Sequence, residues 1–156
     1  MIVIMIGLPG SGKSFHAKRL IAEHLSDTSS GPRQAAIVSA DDFFLDRHGV
    51  YRYDAGKIGD AQSACFESFL RHASTFDSKR DLVVVDNTNM TNWERTPYFM
   101  VGQALKHAVR FVQVRRDILT CISANTHGVP AEAILWKWKT SEPPLPWWNV
   151  EVIDNP

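Results

Sequence analysis

A chain of 156 residues, 44% hydrophobic and 22% charged, is long enough to bury one core and short for two domains. Seventeen basic residues balance seventeen acidic ones, which argues against a protein that coats nucleic acid but allows an enzyme that grips a strand end or a single nucleoside. Cys65 and Cys121 are too few for a disulfide framework, and the apolar start from Met1 to Leu8 lacks the basic flank of a signal peptide and the length of a membrane span. A cytoplasmic location is therefore expected, without membrane association.

In chain order, Ile2 to Ile6 is an unbroken apolar run rich in β-branched residues, as in a strand buried on both faces. After a glycine-rich loop, Phe15, Leu20, Ile21 and Leu25 recur at helical spacing, and residues 26–33 read as a loop. Ala35 to Val38 is a second short strand ending at Asp41-Asp42. Residues 43–55 have no steady period, with a turn at Gly49, and Asp60 to Ala73 predicts a helix with Phe66, Phe69 and Leu70 inward. Leu82 to Val85 is a third strand that stops at Asp86-Asn87-Thr88-Asn89. Thr91 or Asn92 caps a helix running to about Lys106, and Val109 to Val114 is a fourth strand. A helix to about Ala124 is broken at His127-Gly128-Val129-Pro130, and Ala131 to Lys139 forms another. Four tryptophans, Trp136, Trp138, Trp147 and Trp148, mark the C-terminal region, and their expected role is packing a Pro/Trp-rich tail over residues 140–156 onto a single domain spanning 1–156.

Strands alternating with helices give an α/β fold, a parallel sheet with helices on both faces. Ligands of such sheets sit at the carboxyl ends of the strands, and each of the first three strands here ends in a polar cluster.

The first cluster, Gly7-Leu8-Pro9-Gly10-Ser11-Gly12-Lys13-Ser14, fits the phosphate-loop pattern G-x-x-x-x-G-K-[ST] at every fixed position. Glycines at Gly7, Gly10 and Gly12 let backbone N–H groups converge on phosphate, with Ser11 between them and the helix dipole behind them. Lys13 is placed to reach the β- and γ-phosphates of ATP, and the Ser14 hydroxyl to complete a Mg²⁺ shell. Asp41 and Asp42 follow the second strand, where one carboxylate could accept a substrate hydroxyl's proton, or the pair could serve as a turn or helix cap. Asp86 has the form of a Walker B aspartate, suited to holding Mg²⁺ or contacting substrate, with a capping role as the alternative. Tyr51, Arg52 and Tyr53 combine aromatic faces with a cation, a pattern that stacks on a base or packs a loop.

Read in order, GLPGSGKS, SADDFF, YRYD, DNTNMTNWERTPY and HGVP resemble the polynucleotide-kinase-like branch of P-loop kinases, over residues 1 to about 139. The resemblance implies a 5′-hydroxyl kinase fold using ATP and Mg²⁺, with Asp41 as general base and Asp86, Asn87, Thr88 and Asn89 near the acceptor. Asp42, Tyr51, Arg52 and His127 are expected on the substrate side. The chain departs from the phage members, which carry an arginine where Phe44 stands and lid arginines where Ala124 and His127 stand. Arg115 or Arg116 is the expected replacement for that missing charge, with surface charge as the plainer role.

The expected activity is transfer of the γ-phosphate of ATP to a hydroxyl on DNA or RNA, either a 5′ end or the hydroxymethyl group of a modified base in phage DNA. In the latter case the location is the host cytoplasm. A kinase of a nucleoside or other small molecule, or a nucleotide-dependent binding module, is the alternative, and no protein partner is expected.

Overall fold

Ile2–Ile6 forms strand β1 with no residue more than 1% exposed, as its unbroken apolar run requires. In this computed structural model, which describes residues 1–27, 29 and 31–155, β1 lies at the centre of a five-stranded sheet. The other strands are β2 (Ala35–Val38), β3 (Leu82–Val85), β4 (Val109–Arg115) and β5 (Val150–Asp154), in the spatial order β2-β3-β1-β4-β5. Every pairing is parallel: Ile4 lies opposite Val85 on one side and Phe111 on the other. The loop expected over residues 26–33 includes positions 28 and 30, which lie outside the described residues.

Alternate residues of β1 feed two cores. Val3 and Met5 meet Val84, Val112 and Ala17 on one face, covered by α1 (Lys13–Ser26) through Leu20 and Ile21. Ile2, Ile4 and Ile6 face the larger core, built from α2 (Ile58–Thr75), α3 (Asn92–Ala104), α4 (Ile118–Ser123) and α5 (Ala131–Lys139). Helices thus cover both faces, unequally. Helix α3 begins at a capping box, with the Thr91 backbone N–H and hydroxyl donating to the Glu94 carboxylate at 2.9 and 2.8 Å. Among the described residues, no helix is long and apolar enough to cross a membrane.

Two expectations about the C-terminal region are corrected. Residues 150–154, read from sequence as part of a tail, form the edge strand β5, hydrogen-bonded to β4 from Phe111↔Val150 to Arg115↔Asp154. An edge strand needs no unbroken apolar run, so its signal was only Val150 and Val152 alternating around Glu151. Nor do the α5 tryptophans pack inward. Ile134 is the buried residue of that helix, and Trp136, two residues on, points to its far side and is 64% exposed, while Trp138 is 51% exposed. The packing is done by Trp148, whose ring stacks on Phe111 at 4.4 Å and reaches Phe99 at 5.5 Å.

Arg95 completes this junction. It is fully buried, donates to the carbonyls of Thr91, Met90 and Glu142, and sits 5.8 Å from the Trp148 ring. Its guanidinium fixes where the chain leaves α5 and returns to the sheet. Replacing Trp148 with alanine is expected to cost about 3–5 kcal/mol in a urea unfolding titration. The same change at Trp147, which is 72% exposed, should stay within about 0.5 kcal/mol.

Candidate active site

At the end of β1 the chain turns through Gly7 to Gly12 into α1. Gly10 and Gly12 have φ of 78° and 93°, left-handed values that glycine adopts at little cost. Space requires glycine too: a Cβ on Gly10 would strike the Cys121 carbonyl of α4, and one on Gly12 would come within 2.5 Å of the Asn155 amide nitrogen. No side chain caps the first turn of α1, so its N–H groups face the mouth of the loop as an anion-binding terminus.

Lys13 is 8% exposed, and its Nζ donates to the Leu8 carbonyl at 2.8 Å. Burial pushes its pKa down. The Asp86 and Asp41 carboxylates oppose that shift, and the Lys137 ammonium adds to it. Ser14 is exposed on the first turn of α1, while Ser11 is buried and its carbonyl accepts from Asn155 Nδ2 at 2.8 Å. Asn155 follows β5, and its backbone N–H donates to the Arg115 carbonyl at 2.8 Å. The C-terminal strand therefore braces the loop directly.

Beside the loop, at the end of β3, Asp86 is half-buried and its Oδ1 has no hydrogen-bond partner among the described residues. A buried carboxylate oxygen without a partner is costly unless a cation or its water meets it. With the exposed Ser14 hydroxyl, this donor set suits Mg²⁺ held mostly by phosphate oxygens and water. No cluster of three or more His, Cys, Asp or Glu occurs among the described residues that could hold a metal by itself.

The rest of the Asp86 to Asn89 turn is tied into the scaffold. The Asn87 side-chain oxygen accepts from the Ala40 backbone N–H at 2.8 Å, locking the end of β3 to the turn after β2. The Thr88 carbonyl accepts from Gly7 N–H at 3.0 Å. Asn89, 2% exposed and with φ of 46°, donates its amide to the Met5 carbonyl at 2.8 Å. Asn87 and Asn89 thus fix the loops around the site, and Thr88 touches the phosphate loop through its backbone.

At the end of β2, Ala40–Phe44 forms a 3₁₀ turn capped by Ser39. Asp41 is exposed here. Its Oδ1 accepts from the Tyr51 hydroxyl at 2.9 Å, and its Oδ2 lies 3.9 Å from His127 Nε2. The Tyr51 and His127 rings are 4.7 Å apart, so two residues distant from each other in sequence converge on the Asp41 carboxylate. Burial and the hydrogen bond to Asp41 raise the Tyr51 pKa, keeping that hydroxyl a donor. Asp42 is exposed as a residue, but partial burial of its carboxyl, with the nearby Asp41 and Asp86 charges adding, raises its pKa. Arg52 pairs instead with Asp46 at 3.0 Å, in a hairpin that turns at Gly49.

Arg115 and Arg116 stand on the other flank. Arg115 is exposed at the end of β4, and Arg116 Nη1 donates to the Gly10 carbonyl at 3.2 Å. With Asp117, Asp154 and Asn155 they line a cleft of about 380 Å³ beside the loop. The strand order puts β3 and β2, with Asp86 and Asp41, on the opposite side of β1. Three residues with roles here were missed in the sequence. Asn155 and Arg95 act through backbone carbonyls, which leave no pattern. Lys137, whose Nζ is 3.5 Å from Thr88 Oγ1, was hidden between two tryptophans.

A glycine loop between a central buried strand and a helix, with carboxylates on the neighbouring strand ends, defines a P-loop kinase-like domain. The chain belongs to the AAA domain family, whose model matches residues 2–135. It is 36% identical over 138 residues to human NEDD4-binding protein 2, covering 86% of this chain but only 7% of that protein's length. The structure of Chaetomium thermophilum Kti12 in complex with ADP-AlF3 superimposes with a TM-score of 0.71 at 17% identity, over 99% of this chain and 89% of that one. A chain of the Pnkp1/Rnl/Hen1 complex, which contains a polynucleotide kinase, gives a TM-score of 0.57 at 19% identity, over 83% of this chain and 40% of that one. The α/β P-loop kinase-like fold expected from the sequence is thereby established.

Gly10→Ala is expected to abolish nucleotide binding in a calorimetric titration, because the new Cβ meets the Cys121 backbone. Gly49→Ala, at a similar φ of 75° but with nothing within 4 Å, should leave binding intact and cost only about 1–2 kcal/mol of backbone strain.

Proposed function

We propose that this protein is an ATP- and Mg²⁺-dependent kinase that transfers the γ-phosphate to a hydroxyl group on nucleic acid. The observation that carries the reading is the row of functional groups along the carboxyl edge of the sheet. The cleft at Arg115 to Asp117 and Asn155, the phosphate loop, Asp86 and then Asp41 follow one another across β5, β4, β1, β3 and β2. Such a row has a place for a nucleoside at one end, phosphates in the middle and an acceptor hydroxyl at the other.

When bound, ATP would supply the phosphoryl group and Mg²⁺ would neutralise charge on the phosphate oxygens. The residues of the chain do the rest. The N–H groups of the loop and Lys13 hold and polarise the phosphates, and Ser14 and Asp86 fit the metal. Asp41 takes the proton from the acceptor hydroxyl as that oxygen bonds to phosphorus and the bond to the ADP oxygen breaks. Tyr51 and His127 orient the carboxylate for that step. Arg115 and Arg116 serve the nucleotide.

A nucleic-acid acceptor is supported by what surrounds the Asp41 end. A cleft of about 610 Å³ there is lined by Phe43, Phe44 and Tyr53, by Lys57, by Arg52 paired with Asp46, and by Asp54, offering ring faces for bases and the Lys57 ammonium for backbone phosphate. Phe43 is 42% and Tyr53 58% exposed, so their rings are open to a partner. The sequence resemblance to polynucleotide kinases points the same way.

Incubation with γ-labelled ATP, Mg²⁺ and a panel of 5′-hydroxyl DNA, 5′-hydroxyl RNA, hydroxymethylated DNA and free nucleosides is expected to label a polynucleotide. Lys13→Met and Asp41→Asn should each lower that transfer by about 10²–10⁴-fold. Label in none of the acceptors while ATP is hydrolysed would contradict the proposal, and label confined to the nucleosides would replace the polymer with a small molecule.

A further inference from the structure

Helix α5 carries a cation to the phosphate loop from a direction that the loop motif does not include. Ile134, fully buried, fixes the rotation of the helix, and Lys137 follows three residues later on its flank, half-buried, between the exposed rings of Trp136 and Trp138. Its Nζ reaches Thr88, the residue whose carbonyl accepts from Gly7 N–H. The contact to Thr88 Oγ1 is 3.5 Å, at the outer limit of a hydrogen bond, so it locates the ammonium without satisfying its three donors.

The Lys137 charge is near enough to act on the Lys13 ammonium, which also feels the Asp86 and Asp41 carboxylates. The repulsion between the two cations costs free energy by itself, and an anion bearing several charges offsets it. The β3 side, where Thr88 lies, is also the side of Asp86 and Asp41, away from the cleft lined by Arg115 and Arg116. A phosphate approached from there is the one farthest from the nucleoside.

We propose that Lys137 binds the terminal phosphate of the nucleoside triphosphate held by residues 7–14, and so supplies the positive charge at the point of transfer. This rests on the kinase reading above. It gives to α5 the role that sequence reasoning gave to Arg115 or Arg116. Lys137 acts alongside Lys13 from the opposite side of the phosphate, so that charge building up on the transferring group is met by two cations and the metal.

The test compares ATP with ADP. Lys137→Met keeps the length and apolar stem of the side chain and lies half-exposed, so the fold should tolerate it. Calorimetric titration in Mg²⁺ buffer should show ATP affinity falling about tenfold or more and ADP affinity changing less than about twofold, with Lys137→Arg restoring the preference for ATP. An unchanged ATP-to-ADP ratio in Lys137→Met, or an equal fall for both nucleotides, would overturn the proposal.

A second measurement uses the unaltered protein. Acetylation with an N-hydroxysuccinimide ester, mapped by mass spectrometry, should show Lys137 protected by ATP about fivefold or more over ADP, and equal modification with both would overturn the proposal. Binding itself is the control: both nucleotides binding in the titration, with Lys137 modified equally in the presence of each, rejects this inference alone. Binding of neither nucleotide rejects the underlying kinase reading as well.

Discussion

Lys13 carries its charge into a position that is 8% exposed, and the surrounding chain is arranged to make that tolerable. Its ammonium donates to the Leu8 carbonyl and feels the carboxylates of Asp86 and Asp41 at the ends of two neighbouring strands. Desolvation of an ammonium is expensive, and those partners offset only part of it. A bound phosphate would offset the remainder, as the proposed function requires. A single buried cation thus ties the glycine positions, the strand order and the placement of two acidic residues to one requirement.

The scaffold answers the geometric half of that requirement. A parallel sheet brings all its carboxyl ends to one edge, and β1 at its centre gives the loop neighbours on both sides. Gly7 is anchored by the Thr88 carbonyl, Ser11 by Asn155 and Gly10 by Arg116, so three separate segments hold the loop from outside. The bracing by Asn155 depends in turn on β5 being paired with β4, and on Trp148 and Arg95 fixing the approach to that strand. Disturbing the C-terminal junction should therefore be felt at the phosphates, although none of its aromatic residues touches them.

What was legible in the sequence follows from how local each signal is. The loop motif, the buried strands and the Thr91–Glu94 cap all lie within short windows whose spacing reflects backbone geometry. The Asp41 cluster was visible only as separate residues, because Tyr51 is ten positions away and His127 eighty-six; the resemblance named each of them, and the structure brings them together. Edge strand β5 was missed because half its side chains face solvent. Aromatic content suggests packing for the α5 tryptophans, but Trp136 lies on the face away from the buried Ile134, and Trp138, although four residues on from Ile134, falls in the last turn of α5 and is half exposed. Lys137 has no local signal at all, since its position depends on where α5 lies over the end of β3.

In the proposed function the buried ammonium of Lys13 receives nucleotide phosphate and Asp41 faces the acceptor. A crystal structure with a non-hydrolysable ATP analogue, Mg²⁺ and a hydroxyl-bearing oligonucleotide tests both parts at once. Lys13 Nζ is expected to leave the Leu8 carbonyl for the β- and γ-phosphate oxygens, with an acceptor hydroxyl within hydrogen-bond reach of the Asp41 carboxylate. A nucleotide bound elsewhere, with Lys13 still on Leu8 and Asp41 remote from any acceptor, would contradict it.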